Sequence, residues 1–234
     1  MIIFNLLHQD KICHLPGEIF IEANSMLIIW MFIIFILDQL LCKHLKGRYF
    51  ALHTIVNLCL IPFLVLQDIF TFYNNILVGD ITKFMCGSKH ALIVSMGLHT
   101  YHILFFKLKM IDIVHHIPAL IGGLAGIWYE YTYIFNVQLG LSLFGIPGGI
   151  DYLLLTCYKE NLIDYKIEKQ INKRLNVWIR APIGNITSFI IIIQGINTRN
   201  IYYLFIGLHG YWNSNYFMER TIKTELLYKN VCNS

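Results

Sequence analysis

Charge is what this chain has least of. Only 14% of its 234 residues are Asp, Glu, Lys or Arg, against 56% apolar, and the mean hydropathy is +0.58. That balance excludes an ordinary water-soluble domain and places the chain in the membrane class. The net charge of +4 is small and its cations fall in short clusters between apolar runs, so a nucleic-acid footprint is excluded as well. Internal repeats, low-complexity tracts and long linkers are absent, which leaves no place to divide the bulk of the chain into separate domains. The six cysteines (Cys13, Cys42, Cys59, Cys86, Cys157 and Cys232) form no CxxC pair and no zinc spacing. Three of them lie inside apolar runs as small hydrophobes, and the redox compartment and any Cys13–Cys86 pairing stay open. The apolar stretch 1–7 is too short for a signal-peptide core and lacks a basic flank, so no cleaved leader is expected. Asn185-Ile-Thr187 fits the glycosylation pattern but opens an apolar segment just after Arg180, out of reach of a lumenal enzyme.

What is abundant is long apolar runs. Seven of them, 20–41, 49–72, 91–106, 110–128, 133–157, 179–196 and 201–217, predict an all-α polytopic membrane bundle of about seven transmembrane helices. The chain then divides into an N-terminal segment with the first helix (1–47), a helical bundle (48–220) and a C-terminal tail (221–234), the first helix lying at the bundle's periphery. If the seven alternate, Lys43, Lys46, Arg48, Lys107, Lys109, Lys159, Lys166, Lys169, Lys173, Arg174, Arg180, Arg220, Lys223 and Lys229 fall on one side. Only Lys11, Lys83, Lys89 and Arg199 fall on the other. The rule that cytoplasmic loops carry the excess of Lys and Arg then sets the N-terminus lumenal and the C-terminus cytosolic.

This orientation gives each polar residue a depth, at about 1.5 Å per helical residue from the nearest cytosolic cation. His53, His102 and His115 come out about 8 to 9 Å deep, and Asn57, His99 and Asp151 about 12 to 14 Å. His209 and Asn213 follow on the last run. Ionisable groups inside a bilayer are costly, and their convergence in one leaflet predicts a polar cavity open to the cytosol. Asp112, His115 and His116 share one helix face at i, i+3 and i+4, an arrangement that serves a reactive imidazole or, alternatively, a packing histidine whose tautomer the carboxylate fixes. His53 and Asn57 share a face at i, i+4, and His99 and His102 at i, i+3. The stretch Gly145-Ile-Pro147-Gly148-Gly149-Ile-Asp151-Tyr152 breaks an apolar run; its glycines alone fit a kink that lets helices pack closely, while Asp151 points to chain that lines a cavity. The charge-rich segment 162–176 reads as a solvated cytosolic loop. Histidines at such spacings also occur in membrane di-iron enzymes, but six intramembrane histidines with no second HxxHH box cannot complete two coordination spheres, so no metal is expected.

Taken together, Arg48-Tyr-Phe-Ala-Leu-His53-x-x-x-Asn57, Met110-Ile-Asp112-Ile-Val-His115-His116, Gly148-Gly149-Ile-Asp151-Tyr152 and the late His209 resemble the TLC-domain membrane proteins, which include the ceramide synthases and the translocation-associated membrane proteins. The resemblance spans about residues 48–220. It implies a six-helix core, preceded here by one N-terminal helix, around a lipid-sized cavity in the endoplasmic reticulum membrane. It further implies membrane lipids as partners, acyl-CoA as a co-substrate with no permanently bound cofactor, and His115, His116, Asp112 and Asp151 as the catalytic set. His53, Asn57, His99, His102, Tyr152, His209 and Asn213 would then contact substrate. Pro147, Gly148 and Gly149 stand where the synthases carry a His-Asp pair, so the resemblance does not extend to sphingoid N-acylation in particular. A non-enzymatic lipid sensor, membrane-composition modulator or cargo receptor is the alternative that this departure suggests.

Overall fold

The computed structural model describes residues 16–79, 89–108, 110–128, 132–143 and 145–232. At several helical positions, Asp112 and His115 among them, it describes the backbone alone. Every element among the described residues is helical: α1 (Pro16–Leu37), α2 (Arg48–Thr54), α3 (Ile61–Leu77), α4 (Lys89–Phe105), α5 (Met110–Trp128), α6 (Thr132–Gln138), α7 (Ile146–Lys159), α8 (Tyr165–Leu175), α9 (Ala181–Thr198) and α10 (Ile201–Cys232). Among the described residues, four stretches are long and apolar enough to cross a membrane: Glu22–Cys42, Arg48–Leu77, Tyr133–Lys159 and Tyr165–Thr198.

The distribution of side chains is that of a bundle solvated by lipid. Ile28, Phe32, Leu40, Phe63, Phe70 and Ile186 are exposed on the outside, while His53, Asn57, Asn136, Gln138, Arg180 and Asn213 are buried within. Apolar chains outside and amides inside is the arrangement hydrocarbon selects, because lipid rewards no apolar burial and every enclosed polar group needs a partner. Three such pairings are interhelical. Asn136 Nδ2 donates to Asp68 at 2.7 Å and ties α6 to α3, Gln138 donates to Ser188 Oγ at 3.0 Å, and Tyr73 meets Thr187 at 3.1 Å.

The first helix lies at the outside of the bundle, with Ile28, Ile29 and Phe32 exposed, yet it is firmly attached. It packs along α4, and its continuation Asp38–Cys42 carries a fully buried carboxylate. Arg48 Nε donates to Asp38 Oδ1 at 2.7 Å, its other nitrogen pairs with Oδ2, and Tyr101 OH donates to the same carboxylate at 2.7 Å. One buried anion thus fastens α1 to the start of α2 and to α4. Arg48 also lies over the Phe106 ring, 5.1 Å from its centroid.

Among the described residues, four π-helical turns, Asp38–Cys42, Ile55–Leu60, Leu139–Leu143 and Asn176–Arg180, widen the helices between the α segments. Prolines explain two of them. Pro62 and Pro182 offer no N–H to the carbonyls one turn back, and the residue before each bonds five residues back instead, Ile61 N–H to Val56 O and Ala181 N–H to Asn176 O. The turn at 139–143 ends at Gly145, whose N–H donates to Leu139 O at 2.7 Å, with Pro147 in the first turn of α7. Each wide turn shifts the helical register by one residue, so side chains that a regular helix would scatter come to face inward. Asn57, Asn176 and Arg180, all buried, sit in such turns.

Candidate functional site

Four imidazoles meet where α2, α4 and α5 come together. His53, His99, His102 and His116 are all almost completely buried. Their ring centroids lie 4.3 Å apart for His53–His102, 4.6 Å for His99–His116, 6.0 Å for His102–His116 and 6.4 Å for His53–His116. His99 Nδ1 donates to the Ser95 carbonyl at 2.6 Å, one turn back on α4, which leaves Nε2 as its basic nitrogen. One nitrogen from each of His53, His102 and His116 lies within 4.8 Å of the others, a spacing at which three histidines can clasp one ion. The count that argues against two iron centres does not weigh against a single ion, which needs only three such ligands.

Aromatic rings cover this cluster on the side facing α7. Tyr152 stacks on His53 with centroids 4.1 Å apart and planes 9° from parallel, and Tyr49 lies 4.5 Å from His102 and 4.8 Å from His53. The same two tyrosines line a second space, a cavity of about 150 Å³ between α2, α7, α8 and α10. Its polar wall includes Asp151, Asn172, Lys169 and Arg220, with Phe50 and Phe217 on the apolar side. Tyr49 and Tyr152 therefore form a partition, with imidazoles behind it and a charged cavity in front.

Asp151 belongs to the front side. Its carboxylate accepts from Asn172 Nδ2, which also lies 3.2 Å from Glu168 Oε1, and Asn176 Nδ2 donates to the side-chain oxygen of Asn172 at 2.5 Å and to its carbonyl at 3.0 Å. Arg180 Nη1 reaches Asn176 Oδ1 at 3.4 Å and lies over the Phe217 ring at 4.2 Å. Lys169 pairs with Glu168 at 2.9 Å. Glu168, Asn172, Asn176 and Arg180 follow at spacings of four along α8 and its π turn, so one polar stripe runs down the inner face of this helix. The segment 162–176 is thus not a solvated loop. Lys166 and Arg174 are exposed, but Glu168, Asn172 and Leu175 are buried, and the stripe of fours was the signal in the sequence.

Of the residues singled out from sequence, the structure brings His53, His99, His102 and His116 together, and places Tyr152 against them and Asp151 one step away on the other side of the tyrosines. The side chains of Asp112 and His115 lie outside the described residues. Asn57 is buried in the π turn just beyond His53 and has no hydrogen-bond partner among the described residues. His209 stands apart, stacked between Phe205 and Trp212 at 6.1 and 6.2 Å, with no ring contact to the four among the described residues. Asn213, one turn along α10, is fully buried. Sequence reasoning missed Asp38 and Asn172, and it named Tyr49 only as part of a motif; Tyr49 lies four residues before His53, and that spacing puts both on one helix face.

Gly149 sits at the seam between the two spaces. A β-carbon there would fall 2.6 Å from Leu58 Cγ and 3.2 Å from the Asn57 carbonyl carbon, so α7 approaches the π turn of α2 as closely as only glycine allows. No protein-family model, curated protein or solved structure matches this chain, so its chemistry has to be read from the geometry alone.

Proposed function

We propose that the chain is a lipid-handling membrane protein of the TLC type, in which the charged cavity receives the polar end of an amphiphile and the histidines carry out acyl transfer from acyl-CoA. The observation that carries this reading is the tyrosine partition: Tyr49 and Tyr152 touch both the cavity and the imidazoles, so a group bound in front lies one ring's thickness from the bases behind. Lys169 and Arg220 supply positive charge to that cavity, which suits a phosphorylated or otherwise anionic head. In the reaction an imidazole nitrogen of the His115–His116 pair attacks the thioester carbonyl and coenzyme A leaves as its thiol. The acyl group then passes to a hydroxyl or amine of the lipid acceptor. Asp112 and Asp151 orient the participants, and the remaining polar residues of the bundle hold the substrate.

The same reading takes seven crossings, with the N-terminus lumenal and the C-terminus cytosolic in the endoplasmic reticulum, so that the cavity opens toward soluble acyl-CoA. Purified protein incubated with labelled acyl-CoA and a panel of lipid acceptors tests it. Transfer is expected, and it should fall by about 100- to 10,000-fold in His115→Ala and His116→Ala variants. Absence of both transfer and hydrolysis in the unmodified protein would sink the acyltransferase reading.

A second reading, a lipid sensor, membrane-composition modulator or cargo receptor without turnover, draws on a different observation. Among the described residues Asp151 is bonded to Asn172 and to no imidazole, and the parallel stacking of Tyr152 on His53 closes the partition. Lipid that co-purifies with the protein and is returned chemically unchanged after exposure to acyl-CoA would favour this reading.

A further inference from the structure

We infer that His53, His102 and His116 form a binding site for a single divalent transition-metal ion of the zinc class. The inference does not rest on the acyl-transfer reading, since an ion held by His116 would withdraw that imidazole from base chemistry and leave His115 for it.

The geometry comes first. Three imidazoles reach one point from three helices: His53 from α2, His102 from α4 and His116 from α5. Their nitrogens lie within 4.8 Å of one another. Tetrahedral zinc–nitrogen bonds of about 2.0 to 2.1 Å place ligand atoms about 3.4 Å apart, so small side-chain rotations would close the set around an ion.

Burial points the same way. The three residues are 1%, 0% and 1% exposed, and neither ring nitrogen of His102 has a hydrogen-bond partner among the described residues. A buried polar group is normally satisfied by protein or water, and one aimed at two other imidazoles is satisfied equally well by a shared cation. Around the three lie the rings of Tyr49, Tyr152, Phe106 and His99.

The donor set selects the ion. All three ligands are neutral nitrogens, which suit zinc, copper, nickel or iron and do not suit calcium or magnesium, whose sites are built from oxygen. Three protein ligands leave a fourth position for water or a substrate oxygen, the arrangement of catalytic zinc sites. His99, its Nδ1 committed to Ser95 and its ring 4.6 Å from His116, is placed to steady His116 from behind.

The test uses the full chain purified in detergent, stripped with a chelator and titrated with Zn²⁺, with Co²⁺ as a spectroscopic probe and with Mg²⁺ or Ca²⁺ as controls. Expected are uptake of about one zinc per chain, visible ligand-field bands of near-tetrahedral cobalt with nitrogen donors, and no uptake of the oxygen-seeking ions. His53→Gln, His102→Gln and His116→Gln should each weaken zinc binding by about 100-fold or more, whereas His209→Gln, a buried histidine outside the set, should leave it unchanged. Failure of the unmodified protein to take up zinc overturns the inference whatever the variants do. So does stoichiometric uptake that survives the triple variant, provided the circular dichroism of that variant matches the parent's.

Discussion

The two buried polar regions of this bundle are built on opposite plans. In front of the tyrosines, Asp151, Asn172, Asn176 and Arg180 form a chain of donors meeting acceptors, with Lys169 and Arg220 near the carboxylate. Behind them, four imidazoles crowd together under aromatic faces, and His102 finds no hydrogen-bond partner among the described residues. A hydrogen-bonded network in low dielectric fixes geometry, and removing one member strands the rest. At His102 neither ring nitrogen is so committed among the described residues. On the proposed reading, the front region holds the helices and the ligand's polar end in register, and the rear region is where an ion or an acyl group would act.

That contrast breaks most visibly at Asn172. Leucine at this position keeps the volume but withdraws the amide that donates to Asp151 and accepts from Asn176. A carboxylate left buried without its donor costs about 3 kcal/mol or more. Asn172→Leu is expected to lower the thermal unfolding midpoint of the detergent-solubilised protein by several degrees at the least. An unchanged midpoint would mean that the network is ornamental and that the two regions do not differ in kind.

The seam between the regions is the next place to press. Gly149→Ala drives a β-carbon into Leu58 and against the backbone at Asn57, both on the π turn that follows His53. Overpacking of this kind typically costs about 1 to 3 kcal/mol. Because α7 carries Tyr152, the displacement should also loosen its stacking on His53. Loss of stability is expected together with altered tyrosine fluorescence, and a stable variant with native spectra would show that the close approach is not needed.

Stability should hardly change at His102. Replacing its unsatisfied imidazole by the apolar ring of phenylalanine removes no hydrogen bond among the described residues, so His102→Phe is expected within about 1 kcal/mol of the parent. Zinc uptake should nevertheless disappear. A large loss of stability here would place the histidine in a structural network and make the rear region resemble the front.

The sequence shows these regions unequally, for physical reasons. Long apolar runs and scarce charge declare an all-helical membrane chain, and polar residues inside such runs stand out, which is why His53, His99, His102, His116 and Asp151 are visible as a set. Their sorting into two spaces is not visible, because it depends on which rings lie between them. Asp38 escaped notice because its partners, Arg48 and Tyr101, are 10 and 63 residues away. The buried stripe of α8 was masked by the cations around it: Lys166, Lys169, Lys173 and Arg174 dominate the composition and suggest a solvated loop, whereas Glu168, Asn172 and Asn176 at spacings of four carry the stripe. The π turns are hidden more deeply, since a single inserted residue leaves no mark on hydropathy, although Pro62 and Pro182 are the residues that favour two of them.

The smallest expected effect is at Arg220, and it bears on what the front cavity is for. Arg220 is exposed at the cavity wall, and surface substitutions of this kind move stability by no more than about 0.5 kcal/mol, so Arg220→Gln should fold as the parent does. If the cavity takes an anionic head, the lost cation removes about 1 kcal/mol of attraction, or roughly a fivefold weaker association with vesicles rich in phosphorylated lipid or with acyl-CoA. Neutral vesicles should show no difference. The attraction acts through water at the cavity mouth, so the gap between variant and parent should also narrow as salt shortens the Debye length from about 10 Å at 0.1 M toward about 3 Å at 1 M. A deficit equal for anionic and neutral vesicles, or one indifferent to salt, would assign Arg220 to packing against the network and leave Lys169, already paired with Glu168, as the cation that reads the ligand's charge.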